Sequence, residues 1–154
     1  DEGTNADVVW RTEGGHTVFC EVKLSEDEFG IAKDDDRHRH KFQDIYLPRL
    51  RGRIAGELLE AEAFFKHYQL MRYLSLIAQD ERSHLVVLLP RANAALSPQL
   101  DTFMGALPKE IASRVHVAYV EDVIERLEHA VGLPPELVVH AKHLREKYSP
   151  ATDS

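Results

Sequence analysis

The run Val18-Phe19-Cys20-Glu21-Val22-Lys23-Leu24 is apolar except for Glu21 and Lys23, which stand two residues apart. In an extended strand residues i and i+2 project to the same face, so a carboxylate and an ammonium leave one side of a hydrophobic ribbon together. Partial burial of such groups is costly unless they pair with each other or hold a metal. Upstream, Asp7 lies at the start of a second extended stretch, Ala6 to Arg11. The turn Glu13-Gly14-Gly15 joins it to His16–Leu24, and the paired glycines are a hairpin signal. A hairpin brings Asp7 alongside Glu21. Two carboxylates with a backbone carbonyl such as that of Val22 make a hard-oxygen set suited to Mg²⁺, or to Mn²⁺. Lys23, on the face of Glu21, is suited to hold a water and to stabilise charge on a phosphate. These are the parts of metal-assisted phosphodiester hydrolysis.

The elements that must position these groups follow in order. From Ser25 to Arg53 periodicity is lost and charge, His and one Pro dominate, which predicts a long loop or a loop with a short helix. Ile54, Leu58, Ala61, Phe65, Tyr68 and Met71 then recur at helical spacing and predict one helix over Ile54–Gln79. His84-Leu-Val-Val-Leu-Leu-Pro90 is a continuous apolar run that predicts a central strand buried on both faces. Ser97-Pro98 predicts a helix N-cap, Pro108 its break, and Arg114–Val120 a further strand. Val123, Ile124 and Leu127 predict a helix closed by Gly132, and Pro134-Pro135 opens a last helix with Leu137, Ala141, Leu144 and Tyr148 on one stripe. The expectation is an α/β domain, a mixed central sheet flanked by helices. One domain spans 1–154, with a core over about 6–120 and a helical addition over 121–154.

Composition bounds the class. The chain has 154 residues, 44% hydrophobic and 29% charged, which is ordinary for a globular domain. No apolar run reaches membrane-spanning length and no signal peptide is evident. A single cysteine, Cys20, cannot close an internal disulfide, so the cytoplasm is the expected compartment. The net charge of −7 argues against nucleic acid, but it is unevenly spread. Residues 33–53 hold seven Lys/Arg against four Asp, a local +3, so the remainder carries −10. Any DNA binding is therefore expected to be modest, salt-sensitive and aided by divalent metal.

Asp7 followed by Glu21-Val22-Lys23 resembles the PD-(D/E)xK nuclease superfamily, the restriction-endonuclease-like fold. In that superfamily an Asp on one core strand precedes Glu-x-Lys on the next. The usual Pro before the Asp is Ala6 here. Gln69-Leu-Met-Arg-Tyr73 is similar to the QxxxY helix motif of the RecB-like exonuclease branch, and Gln69 and Tyr73 share a helical face. The resemblance covers about Ala6 to Val120. It implies Asp7, Glu21 and the Val22 carbonyl as metal ligands, Lys23 as the residue that positions the attacking water, and Gln69 as an orienting catalytic group. It implies that Tyr73 supports the substrate strand, with DNA as the expected partner. The usual core, αβββαβ, places a helix and a strand before the Asp-bearing strand, and the six residues before Asp7 cannot form them. Either those elements are lost from the chain or another chain completes the sheet, so a homodimer is among the expectations.

Several residues have plainer readings. Glu21 and Lys23 as an exposed cross-strand ion pair would be the mark of an ordinary interaction domain. Arg37, Arg39 and Lys41 could contact phosphates once their loop orders. His38 and His40, without a cysteine partner, fit a solvated loop better than a zinc site. Glu26 and Glu28 read as loop carboxylates, one of which could join the metal site. His67 reads as packing or surface, and Cys20 as a buried structural thiol. No helix-turn-helix or zinc finger is present to read bases. The rival to the nuclease is a nuclease-fold module without catalysis, binding nucleic acid or a protein partner.

Overall fold

The computed structural model describes residues 6–148, and expectations that touch 1–5 or 149–154 lie outside them. Four strands form one sheet in the order β1-β2-β3-β4: β1 Val8–Arg11, β2 Thr17–Val22, β3 Ser83–Leu89 and β4 Val115–Tyr119. The hairpin pairs β1 and β2 antiparallel, with Val8 opposite Cys20 and Arg11 opposite Thr17. Its turn closes with Thr12 N–H donating to the His16 carbonyl at 2.9 Å. Gly15, at φ +77°, supplies a backbone angle that a side chain would resist. Strands β2, β3 and β4 are mutually parallel. The sheet is therefore mixed, as expected, and β3 is central.

Burial of β3 corrects one expectation. Ser83, Leu85, Val87 and Leu89 are buried, whereas His84, Val86 and Leu88 on the other face are only half-buried. One face carries the main core: Leu85, Val87, Leu89 and Val115 pack with residues from Phe29 to Ile111 of the helical segments. A helix over Val120–His129 (α7) lies against β4, and one over Pro135–Tyr148 (α8) packs on α7.

The segment expected as a long loop, or a loop with a short helix, is helical from Asp36 to Leu50. Asp36–Lys41 (α1) runs through a π-helical turn at Phe42–Tyr46 into Leu47–Leu50 (α2). Asp35 caps its start, its carboxylate accepting the His38 N–H at 2.9 Å. Phe42, Tyr46 and Leu50 recur every four residues and are all buried, a helical stripe hidden among charges and one proline. Pro48 sits in the first turn of α2, where its missing N–H costs little.

The single helix expected over Ile54–Gln79 is instead three pieces: a 3₁₀ turn at Gly56–Leu59, α3 at Ala61–Lys66 and α4 at Tyr68–Ile77. The break falls at His67, at φ −113° and ψ 31°. An unbroken helix would bond Gln69 N–H to the Phe65 carbonyl. Here the Phe65 carbonyl accepts from Ala32 N–H at 3.0 Å, and Gln69 N–H donates to the Gly30 carbonyl at 3.3 Å. The loop after β2 is thus clipped into the break, and both freed groups stay satisfied.

Two smaller corrections concern helix ends. The helix over Leu96–Gly105 (α5) starts one residue before Ser97, and Asn93 Oδ1, not Ser97, accepts the Leu96 N–H at 3.2 Å. It ends before Pro108, which opens a short helix over Lys109–Ala112 (α6). On α8 only Ala141 is fully buried; Leu144 and Tyr148 are half-buried, and Leu137 is exposed.

Candidate active site

Glu21 and Lys23 occupy the helix-covered face at the carboxyl end of β2, level with Val87 of the core. They are 4% and 7% exposed, which removes the reading of a solvent-exposed ion pair. A buried carboxylate must be satisfied, and Glu21 is satisfied from three sides. Gln69 Nε2 donates to its Oε1, and the Tyr73 hydroxyl donates to its Oε2. Lys23 Nζ stands 3.3 Å from Oε1. Gln69 and Tyr73 lie one helical turn apart on α4, so one face of that helix meets the carboxylate with two donors.

Asp7 reaches the same place from the other strand. The register that sets Val8 opposite Cys20 sets Asp7 opposite Glu21, and Asp7 Oδ2 accepts the Val22 N–H at 2.8 Å. In a strand a residue's carbonyl and N–H leave on the same side, so the Val22 carbonyl also faces the β1 side. The opposite side is taken by β3, where Lys23 N–H donates to the Leu88 carbonyl at 2.8 Å.

The electrostatics follow from burial and from the two acids. Burial first, then the bond to Glu21, pushes the Tyr73 hydroxyl far above the ordinary phenol range, so it remains a donor throughout the working pH range. Burial also raises the Cys20 thiol, with Asp7 and Glu21 adding to the effect, in keeping with an inert structural thiol. The Ser25 N–H chiefly holds the Glu26 carboxyl below its ordinary range, and Glu26 Oε1 lies 3.7 Å from Lys23 Nζ.

The basic residues of α1 stand differently. Arg37 is exposed, and Arg39 turns its guanidinium onto Asp34. Lys41 is half-buried. The hydrogen bonds of Asp7 and Glu21 and the ion pairs of Lys23 run instead to Val22, Gln69, Tyr73 and Glu26. The helix they sit on packs beside the start of α4, with the His38 ring edge-on to Tyr68 at 5.4 Å. His38 and His40 pair with Asp35 and Asp44, and no group of three acids, histidines or cysteines able to hold a metal occurs among the described residues. His67 packs against Phe103, ring centroids 5.2 Å apart.

Three supporting residues carried no signal of their own in the sequence. A Cβ on Gly30 would stand 3.4 Å from Gln69 Oε1, so glycine lets the loop lie against the amide that holds Glu21. Asn93 Nδ2 donates to the Glu26 carbonyl at 3.0 Å, and Gln99 Nε2 to the Asp27 carbonyl at 2.9 Å. These tethers fix the loop that follows Lys23.

A family model for restriction endonucleases associating with ARP matches residues 1–149. The chain belongs to that family. Comparison with curated proteins and with solved structures gave no match. A mixed four-stranded sheet flanked by helices agrees with membership. Among the described residues no helix is long and apolar enough to cross a membrane.

The donor set can be tested against the metal such a fold implies. Asp7, Glu21 and the Val22 carbonyl are hard oxygens on facing positions, and Mg²⁺ takes one or two protein carboxylates while keeping several waters. The chemistry of the set fits Mg²⁺ or Mn²⁺.

Proposed function

We propose that this chain is a metal-dependent nuclease module that hydrolyses phosphodiester bonds in DNA. The observation that carries the reading is Glu21: a carboxylate buried on a strand, oriented by Gln69 and Tyr73, with Lys23 on the same face. Asp7, Glu21 and the Val22 carbonyl would hold Mg²⁺ or Mn²⁺, which would supply Lewis acidity and a water of lowered pKa when bound. Lys23 would hold the attacking water and balance the charge that grows on the phosphate. Gln69 and Tyr73 would fix Glu21 in place, the role expected of the QxxxY motif. The positive helix α1, with Arg37, Arg39 and Lys41, would bear on the phosphate backbone, Arg39 after release from Asp34. The free buried Cys20 supports a reducing, cytoplasmic setting, and the family description adds association with ARP as a partner.

The test is cleavage of labelled single- and double-stranded DNA with Mg²⁺ or Mn²⁺, with EDTA and Lys23→Ala as controls. Metal-dependent cutting that falls by about a hundredfold or more in Lys23→Ala supports the reading. Cutting that survives Lys23→Ala places the activity elsewhere.

One observation favours a second reading, a module that binds without cutting. Lys23 is closed onto Glu21, and Asp7 spends an oxygen on the Val22 N–H. In that case calorimetric titration with Mn²⁺ gives no heat that Glu21→Gln abolishes, while DNA or protein binding persists.

A further inference from the structure

Lys23 is a buried cation that lies between two carboxylates. Its Nζ stands 3.3 Å from Glu21 Oε1 and 3.7 Å from Glu26 Oε1. Glu21 is buried on the strand, whereas Glu26 is exposed on the loop that follows it.

The loop carboxylate is nevertheless fixed. Its Oε2 accepts the Ser25 N–H at 3.0 Å, which leaves Oε1 to face Lys23. The Glu26 carbonyl accepts from Asn93 Nδ2 at 3.0 Å and the Asp27 carbonyl from Gln99 Nε2 at 2.9 Å. Both the side chain and the backbone that carries it are therefore tied down. An ion pair with so exposed a partner adds little to stability. Its value lies in where it can hold the ammonium.

Glu21 and Glu26 place different demands on Lys23. Glu21 can offer Oε1 to a divalent ion only when Lys23 lets that oxygen go. An ammonium as buried as this one cannot be left without an anion, because its desolvation is then uncompensated. Glu26 Oε1 resolves the conflict: Lys23 leaves Glu21 by shortening a contact it already has, and passes through no unpaired state.

We propose that Glu26 is a positioning residue that takes over the Lys23 ammonium when Glu21 turns to a divalent ion. Lys23 then stays charged and in place beside the attacking water and the phosphate. This rests on the nuclease reading above. Lys23 has two places, one on Glu21 and one on Glu26, and its closure on Glu21 is the resting one. Glu26 is not a ligand of the ion and acts only through Lys23.

Calorimetric titration of the intact chain with Mn²⁺ tests this without recourse to cleavage. Glu26→Gln is expected to weaken binding by about tenfold, the scale of coupling between groups in contact. With Lys23→Met already in place, the same change is expected to cost no more than about twofold, because no ammonium then competes for Glu21. Asp27→Asn removes an exposed charge one residue further on and should leave the affinity as it was. Circular dichroism checks the fold of each variant. A crystal grown with Mn²⁺ gives a readout that needs no variant: Lys23 Nζ is expected within hydrogen-bond distance of Glu26 and off Glu21 Oε1. Equal losses from Glu26→Gln in both backgrounds, or the same loss in Asp27→Asn, would mean that only charge near the ion matters, and would overturn the proposal. So would an affinity that Glu26→Gln leaves unchanged, or a Mn²⁺-bound chain with Lys23 still on Glu21. In each of these cases binding that Glu21→Gln abolishes leaves the metal reading standing. An unmodified chain without such binding overturns both.

Discussion

The same sheet carries two polar clusters, on opposite faces and at opposite ends. At the carboxyl end of β2, Glu21 and Lys23 are buried and satisfied by unlike groups: an amide, a phenol and an ammonium. At the amino end, three histidines lie in a slanted row across β2, β3 and β4. His16 Nδ1 is 3.0 Å from His84 Nε2, and His84 Nδ1 is 3.2 Å from His116 Nε2. The second cluster satisfies itself with like groups at the surface and depends on protons that solvent can change. The first depends on helix α4 and the loop clipped into its break. One is a site held by tertiary packing; the other is a row of strand neighbours.

The largest expected effect lies in the buried cluster. Glu21→Ala removes both carboxylate oxygens, and with them the acceptors of Gln69, Tyr73 and Lys23, from the interior. Breaking a buried ion pair in this way costs about 3–5 kcal/mol. Urea unfolding measures it, and unchanged stability would mean the fold gains nothing from the carboxylate. Tyr73→Phe comes next. It removes one donor from a buried acceptor and is expected to cost about 1–3 kcal/mol. If Tyr73→Phe instead leaves stability unaltered, Glu21 does not rely on α4 for its satisfaction.

Gly30→Ala should be milder, about 1–2 kcal/mol, because Gly30 sits at φ +21°, which a side chain resists, while the added methyl meets a side-chain amide and not backbone. Its signature is local: the Gln69 side-chain amide should shift in the NMR spectrum while the histidine row stays unmoved. A shift at both ends would show the clusters to be coupled.

The smallest effect concerns pH. Burial, then His116 and His16, holds the His84 imidazole below its ordinary value of 6.5, with Arg114 acting in the same sense and Asp80 against it. The unfolded chain therefore binds the proton first as pH falls. Stability should be full above the ordinary imidazole value and decline as pH drops through it towards the depressed one. His84→Val should flatten this acid slope. A slope that survives His84→Val must come from other groups, with half-buried His67, also held low by burial, the next to test.

Much of the site was legible because strand geometry is local. The alternation of β2 put Glu21 and Lys23 on one face, the Gly-Gly turn set the register that brings Asp7 opposite Glu21, and four-residue spacing aligned Gln69 with Tyr73. The helical run from Asp36 to Leu50 was legible only as a short helix within a loop, because Phe42, Tyr46 and Leu50 are separated by charges and by Pro48. The break at His67 was not legible. The apolar stripe passes through it unbroken, and what opens it is a pair of hydrogen bonds from Gly30 and Ala32, more than thirty residues upstream.

The division has a physical basis. The sequence by itself determined which residues share a strand or helix face, since periods of 2 and 3.6 are properties of the backbone. It thereby determined the sheet-and-helix class and the chemistry that Asp7, Glu21 and Lys23 can offer. Only the tertiary structure decided that Gln69 and Tyr73 close on the two oxygens of Glu21 and that the post-strand loop locks α4. Those facts depend on contacts between segments far apart in the chain, and no local period encodes which distant group will fill a hydrogen bond or cover an edge.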